Sequence, residues 1–180
     1  MKEDELDPFT ANSFGLGELI KSVCDDYFLH SGASDSEKTD IPKNKIILGA
    51  GGSAFNELGI GALSALGLRF YNQEGDLLSP NLTHLKNAAK CEWDEEQKHI
   101  LDQLSITFAC DVNNPLLGPK GSTYIFGPQK GVKEHQLEEV DQLLGKLLGI
   151  MKEASPLDNT GLESLPGGGA SGTNLSLIHI

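Results

Sequence analysis

The sequence predicts an α/β fold with a mixed or largely parallel sheet and flanking helices. Two observations lead to this prediction. Short apolar runs of strand length alternate along the chain with longer runs of helical periodicity. A glycine-rich turn also follows directly on one predicted strand and precedes a predicted helix, which is how a β–α unit begins. The 180 residues are enough for one domain with a sizeable core.

In chain order, the first half predicts a helix, a strand, a helix, a strand and a turn, over residues 15–29, 45–49, 58–66, 67–71 and 72–76. The first helix is indicated by apolar residues at spacings of three and four, at Leu16, Leu19, Ile20, Val23 and Tyr27. Ser13 stands where a capping side chain would begin this helix. The small residues between 58 and 66 permit close helix packing.

The second half predicts a short helix at Leu82, Leu85, Ala88 and Ala89, strands over 105–111 and 123–126, and a helix over 133–152. Trp93 and His99 fall in a polar, helix-like run and receive no functional role. The last helix carries the clearest apolar stripe of the chain, at Leu137, Val140, Leu143, Leu144, Leu147 and Leu148. Such a stripe indicates a core-facing helix.

Composition and charge exclude several functional classes. The net charge is −12, and no basic patch is present, so we expect no binding to nucleic acid or to an anionic membrane. No apolar run approaches the ~20 residues that span a bilayer. The three cysteines, Cys24, Cys91 and Cys110, have neither disulfide nor zinc spacing, so no metal-ligating residues are assigned. We expect a cytoplasmic protein.

The first candidate site is the turn Gly49-Ala50-Gly51-Gly52-Ser53, with Asn56 just beyond it. Glycines let a backbone approach a ligand closely, and free N–H groups before a helix favour an anion. Ser53 adds a hydroxyl, and Asn56 adds a donor and an acceptor. The alternative is a purely structural turn in which Ser53 caps the helix.

The second candidate is the segment from Asp111 to Pro119. Asp111 ends a predicted strand, and α/β proteins place their sites at the carboxyl ends of strands. A carboxylate there can orient or deprotonate a hydroxyl in phosphoryl transfer, or hold magnesium. Asn113 and Asn114 offer hydrogen bonds to a hydroxy acid or a phosphate. The alternative is an Asx turn at the end of the strand.

Two further segments complete the candidate set. Lys130, in the rigid turn over residues 126–131, could neutralise a carboxylate or a phosphate, although a solvated surface lysine is the alternative. Asp111 and Lys130 are predicted to lie at the exits of two successive strands. The glycine turn over residues 166–172, with Gly167 and Gly168, could cradle phosphate or act as a flexible linker.

Five segments in order resemble motifs of the type-1 glycerate kinase family: residues 12–20, 49–61, 110–119, 126–131 and 166 onward. Residues 126–131, Phe-Gly-Pro-Gln-Lys-Gly, match the family pattern as they stand. The similarity covers residues 12–174 and corresponds to the central part of the family sequence. The N-terminal and C-terminal segments of the family pattern have no counterpart in this chain.

This resemblance implies two α/β domains around a cleft, and transfer of a phosphoryl group from ATP, with Mg²⁺, to a hydroxyl of glycerate, with the 2-hydroxyl favoured. It implies that Asp111 orients or deprotonates the hydroxyl and that Lys130 neutralises an anion. The turn of Gly51, Gly52 and Ser53 would cradle substrate or phosphate. The other residues assigned to substrate or phosphate binding are Asn56, Asn113, Asn114, Gly167 and Gly168.

The chain departs from the family pattern in the glycine turn, where Phe55 replaces Thr, Glu57 replaces Asp and Leu58 replaces Gly, and at Asn113, where Asp is common. These changes leave open an alternative function, a non-catalytic module that binds a small ligand or regulates.

Beyond the motifs, three segments stand apart from the family pattern. Residues 1–11 lie outside the predicted core, and residues 31–44 form a loop insertion. Residues 175–180 equal the translation of a sequencing-library adapter and are expected to be non-native. We therefore expect a truncated member of the family.

Overall fold

The computed structural model describes residues 6–31, 44–95, 104–154 and 167–169. Its helices are α1 Phe14–Ser31, α2 Ile60–Ala65, α3 Leu82–Leu85, α4 Ser122–Phe126 and α5 Leu137–Ala154. Its strands are β1 Asn44–Ala50, β2 Leu68–Tyr71, β3 Lys90–Trp93 and β4 Leu104–Cys110. Short 3₁₀ turns at Pro128–Lys130 and Glu134–Gln136 connect α4 to α5. The predicted α/β class is confirmed.

The described strands form a parallel pair and an antiparallel pair. Strand β1 runs parallel to β4, in a register that matches Asn44 with Leu104 and Ala50 with Cys110. Strand β2 runs antiparallel to β3, with Leu68 opposite Trp93. Because parallel strands end at the same edge, the segments that leave β1 and β4 start side by side.

One hydrophobic cluster links the helices to both strand pairs. Its largest fully buried side chains are Phe70, Leu58, Ile60, Leu63, Leu66, Leu68, Leu82, Leu85, Leu116, Leu144 and Leu147. Helix α5 supplies the predicted apolar stripe, with Val140, Leu144, Leu147 and Leu148 buried. Within the described residues, none of the helices combines the length and the apolar character needed to cross a membrane.

Helix α1 is confirmed, but its buried face differs from the predicted stripe. Ile20 and Cys24 are buried, whereas Leu19 and Val23 are 62% and 51% exposed. The helix turns a glycine, Gly17, towards α2 instead of a large apolar residue. The spacing of large apolar side chains cannot reveal a helix face that packs through a glycine.

The contact between α1 and α2 is close because glycine stands on both sides. A Cβ atom on Gly17 would lie 2.7 Å from the Cβ of Ala65, and one on Gly61 would lie 2.7 Å from the Ser13 nitrogen. Real Cβ atoms do not approach other atoms so closely, so both positions need glycine. This packing also removes Ser13 from its predicted capping role, and the Asn12 side chain accepts the Phe14 N–H instead, at 3.0 Å.

The predicted strand over residues 123–126 is wrong, because Ser122–Phe126 forms helix α4. A short apolar run of this length cannot be assigned by periodicity alone. The helix closes on glycine: the Gly127 N–H donates to the Thr123 carbonyl at 2.9 Å. Lys130 therefore follows a helix and a 3₁₀ turn, and not the end of a strand.

Strand β3 was not predicted, and Trp93 lies within it. Its four residues alternate between exposed Lys90 and Glu92 and less exposed Cys91 and Trp93, so the run carries little apolar signal of its own. Pairing with β2 stabilises the strand. Several sequence-based expectations lie outside the described residues: 1–5 of the N-terminal segment, 32–43 of the loop insertion, His99, residues 166 and 170–172 of the glycine turn, and the tail 175–180.

Candidate functional site

The parallel pair of β1 and β4 places two candidate segments at one edge. Ala50 and Cys110 are register partners and end their strands, so Gly51 and Asp111 are the first residues after two neighbouring strands. Both line a cavity of about 210 Å³, whose described lining is Gly51, Gly52, Ser53, Asp111, Val112, Phe126, Gln129 and Lys130. Sites for drug-sized ligands measure about 300–1,000 Å³, so this volume suits a molecule of few heavy atoms.

Lys130 places a cation in the wall of this cavity. Its side chain is only 3% exposed. Its ammonium donates to the Ser53 hydroxyl at 3.2 Å and to the Phe55 carbonyl at 2.7 Å. Burial lowers the pKa of Lys130 to about 8, although the negative charge of Glu57 raises it. An ammonium has three N–H donors, and the described contacts occupy two of them, so the third can bind an anion.

Glu57 is fully buried close to this lysine. Both of its oxygens accept hydrogen bonds, Oε1 from the Ser13 hydroxyl at 2.7 Å and Oε2 from the Gly61 N–H at 2.6 Å. Ser13 in turn accepts the Ala62 N–H at 2.8 Å. Burial raises the pKa of Glu57 to about 7, while the hydrogen bonds from Ser13 and Gly61 oppose that rise.

Asn56 is also fully buried and does not line the cavity. Its Nδ2 donates to the Thr123 hydroxyl at 3.0 Å, which joins the segment after β1 to helix α4. Its Oδ1 has no hydrogen-bond partner among the described residues. Since α4 leads directly to Lys130, Asn56 supports the site from behind the cavity wall.

The glycine turn ends in an unusual backbone conformation. Leu58 and Gly59 have φ angles of 65° and 71°, in the left-handed region. Leucine rarely adopts this conformation, and here its side chain is fully buried. Leucine therefore adopts a conformation that favours glycine, at a position where the family pattern has glycine.

The loop after β4 presents Asp111 to solvent and is held at its far end. Asp111 is exposed at the edge of the cavity. Asn114 donates through Nδ2 to the Lys120 carbonyl at 3.0 Å, which closes the loop on itself. The Gly118 N–H donates to the Asp141 carboxylate at 3.1 Å, which ties the loop to α5. Asn113 is exposed, outside the cavity.

The glycine turn at residues 167–169 packs beside this loop. The Gly169 N–H donates to the Asn114 carbonyl at 2.9 Å. A Cβ on Gly167 would lie 2.9 Å from the Sγ of Cys110, and its φ of 81° favours glycine as well. Gly168 is buried. Gly167 and Gly169 are required for close packing behind the loop, and the turn lies outside the described cavity lining.

The cavity therefore brings together half of the predicted site residues: Gly51, Gly52, Ser53, Asp111 and Lys130. Five others stand in the surrounding structure: Asn56, Asn113, Asn114, Gly167 and Gly168. Val112, Phe126 and Gln129 also line the cavity but were not predicted, although each belongs to a motif that holds a predicted residue. Glu57 was predicted, as a departure from the family pattern, to be able to reach a ligand; the structure instead buries it outside the described cavity lining.

An exposed carboxylate and a buried ammonium that share a small cavity can do specific chemistry. The ammonium can bind a carboxylate or phosphoryl oxygen, and the carboxylate can accept a hydroxyl proton. Mg²⁺ commonly uses one or two protein carboxylates together with phosphate oxygens, and Asp111 supplies such a carboxylate. Among the described residues, no group of three or more His, Cys, Asp or Glu side chains could hold a metal ion unaided.

Comparison with known proteins identifies relatives along almost the whole chain. The model of the glycerate kinase family matches residues 1–176. A glycerate kinase of Bacillus cereus (strain ATCC 10987 / NRS 248) is 35% identical over 165 residues, which are 92% of this chain and 38% of that protein. The glycerate 2-kinase of Escherichia coli (strain K12) is 34% identical over 94% of this chain and 39% of its own length.

A solved structure agrees with the described fold. A crystal structure described as glycerate kinase 2 from Salmonella typhimurium LT2 superposes with a TM-score of 0.77 at 31% identity. The match covers 98% of this chain and 42% of that one. The chain thus spans about two fifths of the length of these relatives.

Proposed function

The chain belongs to the glycerate kinase family, and from that premise we propose that it contributes a substrate site for phosphorylation of glycerate by ATP. The observation that carries the proposal is the pairing of Lys130 with Asp111 across one small cavity. Glycerate offers a carboxylate for the ammonium and a hydroxyl for the carboxylate. The cavity volume of about 210 Å³ suits a small hydroxy acid better than a nucleotide.

In this proposal each lining residue has a distinct task. The Lys130 ammonium neutralises the glycerate carboxylate or the transferred phosphoryl group. Asp111 orients the attacking hydroxyl and accepts its proton. Gly51 and Gly52 leave open space, because a Cβ atom at either position would meet nothing within 4 Å. Backbone and substrate can therefore approach each other closely there.

ATP and Mg²⁺ are the co-reactants that the family implies. The metal ion neutralises phosphate charge when it is bound. Since the cavity is small, the nucleotide would extend beyond it. Transfer to the 2-hydroxyl is supported by the relative from Escherichia coli, whose name is glycerate 2-kinase.

The alternative, a non-catalytic binding module, depended on the altered residues of the glycine turn. In the structure two of the altered residues are bonded within the site region: the Phe55 carbonyl accepts a hydrogen bond from the Lys130 ammonium, and both oxygens of Glu57 accept hydrogen bonds. The altered residues therefore do not favour loss of the site, and catalysis is the function we propose.

The test is replacement of Asp111 by Asn in the polypeptide that carries this chain. If Asp111 accepts the hydroxyl proton, glycerate-dependent ADP formation should fall by about 100-fold or more, because general-base catalysis contributes ~10²–10⁴-fold. Asp76→Asn is the matched control, since Asp76 is exposed in the turn after β2. Phosphorus NMR of the product separates 2- from 3-phosphoglycerate. Unchanged turnover in Asp111→Asn would refute the role of Asp111.

A further inference from the structure

The proposed chemistry gives no role to Glu57, although its side chain is fully buried. A buried carboxylate is costly to maintain, so its partners are informative. Oε1 and Oε2 each accept a hydrogen bond, from Ser13 and Gly61. The Ser13 hydroxyl also accepts the Ala62 N–H, which leaves its proton for Glu57. The carboxyl group is thus bonded in the manner of an ionised acceptor.

The segment from Ser53 to Glu57 also binds the buried ammonium of Lys130. Ser53 and Phe55 accept the Lys130 ammonium, and Glu57 follows two residues after Phe55. Glu57, in the loop before α2, is a carboxylate whose charge acts on Lys130, and Asp111 is the carboxylate that lines the same cavity. Glu57 is buried and Asp111 is exposed, so Glu57 acts through a medium of lower dielectric and is less screened. The remaining described cavity residues do not titrate.

We propose that Glu57 is a positioning residue for Lys130, whose buried carboxylate keeps the ammonium protonated and seated on Ser53 and Phe55. This inference rests on the proposed function, in which that ammonium binds an anionic substrate. Removing the carboxylate would leave the lysine buried without its countercharge, and the ammonium would then lose its proton more easily. The site would stop binding anions at a lower pH.

The first experiment replaces Glu57 by Gln, which keeps the size of the side chain and removes its charge, while the amide keeps one of the two acceptor oxygens. Carbon NMR of lysine side chains labelled at Cε, with the Lys130 signal assigned from Lys130→Met, follows its titration. In the wild-type chain the pKa of Lys130 lies at about 8, and in Glu57→Gln it should fall. Glu57→Asp should restore it in part.

A control and a reciprocal measurement keep the inference testable if Glu57→Gln does not fold. Glu92→Gln removes one exposed charge in β3 and should leave the Lys130 titration unchanged. Coupling between two sites is reciprocal, so Lys130→Met should raise the carboxyl pKa of Glu57 above its value of about 7. An unchanged Lys130 titration in Glu57→Gln, or an unchanged Glu57 titration in Lys130→Met, would overturn the inference.

A third experiment separates this inference from the proposed function. It measures glycerate binding by calorimetry at pH values from about 6.5 to about 9, on either side of the pKa of Lys130. Wild-type affinity should weaken as Lys130 loses its proton, and in Glu57→Gln the weakening should begin at lower pH. If the wild-type chain binds no glycerate, the proposed function fails while the two titrations still decide the role of Glu57. If glycerate binds and its pH profile is the same in both proteins, the role of Glu57 is refuted.

Discussion

Leu58 is the one non-glycine residue with positive φ in the described part of the chain, and it is also fully buried. The left-handed conformation costs a residue with a side chain about 1–2 kcal/mol. Burial of a leucine side chain stabilises by about 2–5 kcal/mol relative to alanine. Because the second quantity is larger, leucine can occupy a position whose backbone favours glycine.

The residue-scale prediction compares Leu58→Gly with Leu58→Ala. Both variants lose the buried side chain, but glycine also loses the conformational penalty. Leu58→Ala should therefore reduce the free energy of unfolding by about 2–5 kcal/mol, and Leu58→Gly should reduce it by about 1 kcal/mol less. Urea unfolding of both variants checks this order. A glycine variant no more stable than the alanine variant would show that the position stores no backbone strain.

For single residues, the sequence pointed to unusual positions but did not predict the contacts that their side chains make. Phe55, Glu57 and Leu58 stood out because they differ from the family pattern. The roles of Glu57 and Asn56 depend on Ser13 and Thr123, which lie 44 and 67 residues away along the chain. Contacts over such separations arise from tertiary packing, which no local spacing encodes.

At the scale of elements, α1 and α2 pack through glycines that differ in their surroundings. Gly17 faces α2 at a distance that excludes a Cβ atom, whereas a Cβ on Gly15 would meet nothing within 4 Å. Both glycines lie in the same helix, α1. Substituting alanine at each position therefore distinguishes two effects: the cost of a methyl group in a close contact, and the gain in helix propensity.

We expect opposite effects from Gly17→Ala and Gly15→Ala. Gly17→Ala should destabilise by about 1–3 kcal/mol, because a methyl group forces α1 away from α2. Gly15→Ala should be neutral or stabilise by up to about 1 kcal/mol, because alanine favours helix. Thermal unfolding followed by circular dichroism distinguishes the two variants. Similar effects of both substitutions would contradict the close packing described for Gly17.

Long elements with strong periodicity were predictable, and short ones were not. Helix α5 followed its apolar stripe, and β1 and β4 followed from apolar runs that precede polar turns. Residues 123–126 have strand-like composition, but they lie in helix α4, where Thr123 accepts a hydrogen bond from Asn56, 67 residues away along the chain. Strand β3 is stabilised by its pairing with β2, so its own sequence gives little indication of it. That the segments after β1 and β4 line one cavity was predictable, because parallel strands share a carboxyl edge, whereas the position of Lys130 after a helix was not.

For the whole molecule, the two buried charged groups shape the dependence of stability on pH. The pKa of Glu57 rises from 4.5 to about 7 on folding, so the folded state holds an extra proton between those values. Stability from this group is full at low pH and is lost as the pH rises towards 7. The pKa of Lys130 falls from 10.5 to about 8, so stability is regained as the pH rises from 8.

We therefore predict a minimum near pH 7–8 in the stability difference between the wild-type chain and the double variant Glu57→Gln/Lys130→Met. Each arm should amount to at most about 3–4 kcal/mol, since one pKa unit corresponds to about 1.4 kcal/mol. Subtracting the two urea-unfolding profiles cancels the titration of all other groups. A flat difference between pH 4.5 and 10.5 would show that the two groups titrate as they do in the unfolded chain.

The packing of the Gly167 turn against Cys110 has a practical consequence for spectroscopy. Cys24 and Cys91 are buried, and burial raises the thiol pKa of both, whereas Cys110 is exposed. Thiol reagents react with accessible thiolates, so they should select Cys110. A fluorophore attached there would be next to Asp111 and in contact with the glycine turn. The unaltered chain thus carries its own attachment point for an optical reporter of cavity occupancy.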